Sequence, residues 1–191
     1  MEDFYIINFK DAGIKPLSRL EIELRNMTDA DWGNYVLHIV KAGKLFIQYG
    51  CEPTEELIEC INTMTPNVIY YSIYLKQKNI MVGYVGVTPE TNNLEFYGFQ
   101  EFRKIGIGTD AVNLLIWLWF SGQITGDREA KIKAETLSQN LASVQLLEKL
   151  GFQKEAVGLR MMLLEDASYQ TISLYSYVLK RDVDCEMQCT K

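Results

Sequence analysis

The first readable pattern along the chain has period two. Leu20-Glu-Ile-Glu-Leu24 alternates apolar and acidic positions, as a strand does when one face is buried. The period then lengthens. Thr28, with Asp31 three residues on, makes a start of the capping-box type. The helix it opens carries Trp32, Tyr35, Val36, Ile39 and Val40 on one stripe. A second helix is expected from Thr54, with Glu55 and Glu56 in its first turn, where carboxylates suit the positive end of the dipole. Its apolar face would be Leu57, Ile58, Ile61 and Met64.

Strand patterns return over residues 68–75, 80–88 and 94–99, separated by polar turns at 76–79 and 89–93, which predicts an antiparallel meander. Residues 109–120 follow a helical pattern so apolar that it must be covered on most sides. A short strand over 131–136, an amphipathic helix over 140–150 and two strands over 152–164 and 169–180 complete the pattern, with a polar turn at 165–168. The order β, α, α, β, β, β, α, β, α, β, β allows a parallel crossover only in its second half. The fold class is therefore α/β of the α+β kind, with a mixed, largely antiparallel sheet. Without repeats, low-complexity tracts or a Pro/Ser-rich linker, residues 1–182 read as one domain and 183–191 as a loose tail.

Composition narrows the function classes. Apolar residues make up 48% of the 191, ordinary for a soluble domain, and a chain of this length buries roughly 70% of its unfolded surface without staples. Nineteen Lys plus Arg against 25 Asp plus Glu leave a net charge of −6, which argues against a nucleic-acid partner and mildly favours a cationic substrate. Cys51, Cys60, Cys185 and Cys189 lack zinc-type spacing and have one histidine, His38, to join them, so no metal site is expected. His38 reads as an ordinary helix-face residue. The longest apolar run, 114–120, falls far short of the ~20 residues of a membrane span. The acidic N-terminus is unlike a secretion signal, which suggests no membrane partner and a cytoplasmic location.

The chemistry concentrates in Phe96-Tyr-Gly-Phe-Gln-Glu-Phe-Arg-Lys-Ile-Gly-Ile-Gly-Thr-Asp-Ala111. A strand ends near Phe99, a loop carries Arg103 and Lys104, and Gly106 and Gly108 sit where a helix begins. The first turn of a helix presents N–H groups without internal partners and a partial positive charge. Glycines there let an anion approach the backbone, and Ile105, Ile107 and Thr109 contribute the neighbouring amides of such a diphosphate cradle. Gly98, inside a strand, marks a bulge or a close backbone approach. A bulge would splay strand 94–99 from strand 131–136 and expose the backbone of Tyr97, Gly98 and Phe99 to an amide-containing ligand arm. Asn140 is an N-cap candidate with a side-chain amide, and Gly151 a helix stop. With period two, Glu95 and Tyr97 share one strand face and Leu94 and Phe96 the other. The aromatics of the first half, Trp32, Tyr35, Phe46, Tyr49, Tyr70, Tyr71 and Tyr74, are mostly core. A few offer faces to a cationic amine.

Arg103-x-x-Gly106-x-Gly108 resembles the Q/R-x-x-G-x-G/A signature of the GNAT superfamily of acyl-CoA-dependent N-acyltransferases. Asn140 to Phe152, ending Glu-Lys-Leu-Gly-Phe, is similar to that superfamily's second block, and the ribosomal-protein and amine N-acetyltransferase branch matches best. The resemblance covers about residues 67–180. It implies a sheet splayed between its fourth and fifth strands, helices on both faces, and acetyl-CoA as co-substrate, held by residues 97–99, 103–109 and Asn140. It also implies direct attack of an amine on the thioester, with a homodimer left open. Such attack needs a base to take the amine's proton, for which Glu95 is the candidate, and a backbone N–H near 97–99 to polarise the carbonyl. It also needs a donor to the thiolate. Many members use a tyrosine where this chain has Leu147, so the role falls to Tyr175 or to Tyr177 on the same strand. Many also have glycine where Lys104 stands.

Two other readings compete. A GNAT-like module could bind CoA without catalysis. Gly106-x-Gly108-x-x-Ala111 with Glu135 also satisfies a nicotinamide-dinucleotide fingerprint, but seven residues separate Phe99 from Gly106 and no second mononucleotide half follows.

Overall fold

Strand pairing organises the molecule, and the longer strands form where β-branched and aromatic residues are concentrated. The computed structural model describes residues 6–8, 21–41, 67–126, 131–163 and 169–181. Its strands are β1 (Ile6–Asn8), β2 (Ile22–Asn26), β3 (Ile69–Leu75), β4 (Ile80–Thr88), β5 (Asn93–Gly98), β6 (Lys131–Leu137), β7 (Gln153–Leu163) and β8 (Tyr169–Lys180). They make one sheet in the order β1-β2-β3-β4-β5-β6-β8-β7, antiparallel throughout except where β5 meets β6. The mixed, largely antiparallel sheet and the late parallel crossover are as expected.

Three helices flank the sheet among the described residues: α1 (Asp29–Lys41), α2 (Ile107–Ser121) and α3 (Leu141–Lys149). The apolar α2 is covered as its composition demands. Ala111, Val112, Leu114, Leu115, Leu118 and Trp119 are buried in a core with Ile22, Leu24, Val85, Val87 and Ile132. Its far end is tied to the next strand by Trp119 Nε1, which donates to Lys131 O at 2.8 Å. Leu147 of α3 joins the same core. The opposite face carries a second, aromatic core, in which Tyr35 and Val36 of α1 meet Met81, Tyr84 and Phe99. Helices therefore cover both faces. No helix among the described residues is long and apolar enough to cross a membrane.

Some boundaries moved. The expected strand at 20–24 lies at Ile22–Asn26, because Arg25 and Asn26 pair with Ser72 and Tyr71 and prolong the ladder beyond the alternating residues. Strand β1 has three residues and no alternation, so periodicity did not reveal it. The helix expected from Thr54, Phe46, Tyr49, the four cysteines and the tail 183–191 lie outside the described residues, as do the side chains of Ile39 and Val40.

The capping box at the start of α1 forms as its residues dictate. Thr28 N–H donates to Asp31 Oδ2 at 3.0 Å, and Asp31 N–H donates to Thr28 Oγ1 at 3.3 Å. Tyr74 also donates its hydroxyl to Asp31 Oδ1 at 2.6 Å. Burial raises the Asp31 carboxyl, but hydrogen bonds from Tyr74 and Thr28 outweigh it and hold the group below the ordinary carboxylate value. Burial and the Asp31 contact push the Tyr74 phenol up to about 12. Because the folded-state value of Asp31 is depressed, its stabilisation is complete above the unfolded value of 3.8 and is lost as pH falls through the lower folded one. Asp31→Ala is expected to cost about 2 kcal/mol at neutral pH. In thermal denaturation its deficit against the parent should shrink below pH 3.8. A deficit that stays constant into acid would show that the charge of Asp31 contributes nothing.

Candidate active site

The sheet opens between β5 and β6. Their parallel pairing consists of Asn93↔Lys133 and Leu94↔Ala134, supported by Lys133 N–H donating to Asn92 O at 2.7 Å. Beyond that point β5 follows β4 and β6 follows β8, so Glu95–Gly98 and Glu135–Leu137 diverge. The splay stands where the resemblance implies it, between the strands at 93–98 and 131–137.

Its cause differs from the one expected. The β4–β5 register runs unbroken to Gly83↔Gly98, and no bulge interrupts β5. The irregularity lies one pair over, between Ile73 and Tyr74 in the β3–β4 ladder. Backbone direction also corrects the expectation for residues 97–99. Phe99 N–H donates to Val82 O at 2.9 Å, so its amide is turned to β4. Backbone groups alternate along a strand, which directs those of Tyr97 to β4 as well. The groups of Phe96 and Gly98 therefore turn towards the opening. A Cβ built on Gly98 would meet nothing within 4 Å, which leaves room beside that backbone for a ligand arm.

The chain leaves β5 through a tight turn at Gln100–Phe102 and reaches the start of α2. Arg103 folds back over the mouth of the splay. Its Nε donates to Gly98 O at 3.1 Å, and its guanidinium lies 5.7 Å from the centre of the Tyr97 ring. Burial pushes the Tyr97 phenol above its ordinary value against the opposing pull of the Arg103 charge. Lys104 adopts a left-handed φ of 64°, a conformation that costs a non-glycine residue about 1 kcal/mol. A glycine would adopt it without that strain, which is the cost of the departure noted at this position. Ile105 is exposed beside it.

Gly106 caps α2 with φ 90° and, being glycine, offers no side-chain acceptor to the first-turn amides. The first bond within the helix is Asp110 N–H to Gly106 O at 3.1 Å, so the amides of Ile107, Gly108 and Thr109 precede the ladder. A Cβ on Gly108 would touch only Leu146 Cδ1, at 3.6 Å, so the helix start is open above that residue. Three amides, the dipole, and the exposed cations Arg103 and Lys104 together suit a doubly or triply charged anion such as a diphosphate.

Glu95 lies on the α1 side of β5, opposite Gly86 of β4, and is half-buried. Tyr97 shares that face with the aromatic core, while Leu94 and Phe96 belong to the α2 core, as alternation predicts. Tyr70 donates its hydroxyl to Glu95 Oε2 at 3.1 Å. The aromatics on this side pack on one another: Trp32 meets Tyr70 edge-on at 5.0 Å, and Tyr35 meets Tyr84 at 4.9 Å. A cleft of about 560 Å³ lies further along β5, lined by His38, Tyr74, Met81, Phe99 and Glu101, and does not include Glu95. His38 stacks on Phe99 at 3.9 Å and meets Glu101 Oε2 at 3.0 Å.

The other proposed groups separate clearly. Tyr175 pairs with Thr136, on the part of β6 that has already left β5, and Lys154 Nζ lies 3.6 Å from its ring centre. Tyr177 is buried and donates to Glu148 Oε1 at 3.2 Å, and burial with that carboxylate raises its phenol. Leu147 is fully buried and brings no polar atom to the site. Asn140 caps α3, its Oδ1 accepting from Ser143 N–H at 3.3 Å, so the ordinary capping reading holds for that atom. Among the described residues no cluster of His, Cys, Asp or Glu could hold a metal. Sequence reasoning placed Tyr70 only among the mostly core aromatics and did not single out Gly86, because only strand register brings them to Glu95.

Comparison with known proteins places this geometry. The profile of the acetyltransferase (GNAT) domain matches residues 21–153. No curated protein matches the chain by sequence. Solved structures match across most of its length. A ribosomal L7/L12 alpha-N-protein acetyltransferase superposes with TM-score 0.63 at 16% identity, covering 93% of this chain and 95% of that one. The ribosomal-protein-S5-alanine acetyltransferase of Vibrio fischeri gives 0.61 at 16% identity over 85% and 94%. The spermidine N-acetyltransferase of Vibrio cholerae, solved with CoA and spermine, gives 0.65 at 14% identity over 83% and 95%. At these identities the structural likeness establishes the fold.

Proposed function

From a chain that belongs to the GNAT acetyltransferase family, a family of acyltransferase enzymes, we propose transfer of the acetyl group of acetyl-CoA to a primary amine. The observation that carries the proposal is a single juxtaposition. The β5–β6 ladder stops after two residue pairs, and the same strand leads through one tight turn to a glycine-capped helix start preceded by two cations. One feature suits the amide-bearing arm of CoA and the other its diphosphate. The amides of Ile107, Gly108 and Thr109, with Arg103 and Lys104, are assigned to the diphosphate. The backbone of Phe96 and Gly98 is assigned to the arm.

The chemistry follows from what direct attack requires. Glu95 takes the proton of the ammonium so that the amine nitrogen carries a lone pair. The nitrogen bonds to the thioester carbon while an N–H facing the opening, from Phe96 or Gly98, stabilises the developing oxyanion. The C–S bond then breaks, the thiolate takes a proton from a donor, and the nitrogen gives up its second proton, which restores that donor through solvent. Tyr175 is assigned as that donor, because its neighbour Tyr177 is hydrogen-bonded to Glu148 and Leu147 has no proton to give. The acceptor is a cationic amine, either a polyamine or a protein N-terminus, consistent with the net charge of −6.

Two measurements test this together. Acetyl-CoA should raise the melting temperature, and NADH should not. Free thiol should appear when acetyl-CoA is incubated with spermidine or with a peptide beginning in serine. No thermal shift with acetyl-CoA would overturn the cofactor assignment. A shift without thiol release from any amine of a broad panel would overturn the transfer reaction.

A further inference from the structure

We propose that Tyr70 positions Glu95 for proton transfer, and that the missing side chain of Gly86 allows it to do so. The proposal rests on the reading of Glu95 as the base. Strands β3, β4 and β5 are successive neighbours, and their registers pair Tyr70 with Gly86 and Gly86 with Glu95. The three residues therefore form one row across the sheet. The outer two lie two strand spacings apart, roughly 10 Å, beyond the reach of a directly opposed pair.

The tyrosine bridges this distance by lying across the middle strand. A Cβ on Gly86 would stand 2.6 Å from Tyr70 Cδ1 and 2.9 Å from Cε1, so any other residue there would lift the ring. With the ring down, its hydroxyl reaches Glu95 Oε2 at 3.1 Å. Trp32 and Tyr84 hold it there, each meeting it edge-on, at 5.0 and 5.5 Å.

The consequence is directional. A half-buried carboxylate on a flexible stem would sample several rotamers, and an oxygen held by a fixed hydroxyl does not. Oε2 is the held atom, which leaves Oε1 to take the proton from the acceptor nitrogen. The geometry also joins α1 to the reaction centre, because Trp32 of that helix braces the ring. Tyr70 is assigned a positioning role. It acts through Glu95.

The test is a double-mutant cycle on Tyr70→Phe and Glu95→Gln, following thiol release from acetyl-CoA with spermidine and with the seryl peptide. Tyr70→Phe should lower kcat about tenfold, a fraction of what the base itself contributes. KM for acetyl-CoA should stay within about twofold, since no cofactor contact is touched. In the Glu95→Gln background the tyrosine change should add nothing, because there is no longer a base to position. Gly86→Ala should reproduce the loss of kcat by displacing the ring with the hydroxyl intact. If Glu95→Gln is impaired and Tyr70→Phe matches the parent, the positioning role falls and the base assignment stands. If the two losses multiply, Tyr70 acts independently of Glu95 and the proposal is wrong. If Glu95→Gln itself turns over normally, the base assignment falls and takes the positioning role with it.

Discussion

Replacing Gly108 by aspartate is expected to weaken acetyl-CoA binding by about a hundredfold or more, with little effect on the fold. Both halves of that expectation have the same origin. The start of α2 is a region of positive potential, with three amides ahead of the first helical hydrogen bond and a glycine, which has no side-chain acceptor, at the cap. A carboxylate in the first turn is stabilised by that potential, so the helix tolerates it. The new side chain also has room, because the nearest atom to its Cβ is Leu146 Cδ1 at 3.6 Å. The diphosphate seeks the same amides, so the carboxylate displaces it and repels what remains. Calorimetric titration with acetyl-CoA, alongside thermal melting of the free protein, separates the two effects. Unchanged affinity would remove the helix start from the site.

Glu95→Gln should lower kcat by about a hundredfold at neutral pH while leaving acetyl-CoA affinity within about twofold. The substitution is nearly isosteric and keeps an oxygen that can accept from Tyr70, so the row through Gly86 survives it. What is lost is the capacity to take a proton. Steady-state thiol release gives kcat, and titration gives affinity. Equal turnover in the variant would take Glu95 out of the chemistry. A parallel fall in affinity would instead mark it as part of the cofactor site.

The pattern of the fold was largely legible in residue order. Alternation at 94–99 assigned Glu95 and Tyr97 to one face and Leu94 and Phe96 to the other, and the two cores bear this out. The capping box at Thr28 and Asp31, the apolar helix after Gly108 and the parallel crossover were legible for the same reason: each is a local rule with a fixed spacing. Strand β1 was not, since three residues carry no period.

The site divided along the same line. The turn proposed to bind the diphosphate is contiguous in sequence, and its glycines and cations pointed to it. The splay is a relation between strands, and a glycine at position 98 suggested it for a reason the ladder does not support. The opening arises because β6 follows β8 after Ala134, and no residue in β5 encodes that. The link from Tyr70 over Gly86 to Glu95 was invisible on the same ground. A tyrosine lying over a glycine to reach a glutamate 25 positions later exists only once three strands are in register. Lys104 shows the converse, a familiar loop geometry retained by an unfavourable residue.

The central claim is that the amides at the start of α2 and the opening between β5 and β6 together hold the coenzyme. A crystal structure of the protein soaked with CoA measures this directly. The diphosphate should lie on the N–H groups of Ile107, Gly108 and Thr109, with the pantetheine arm running beside Phe96 and Gly98 towards Glu95. Coenzyme bound elsewhere, or a helix start left empty at saturating CoA, would contradict it.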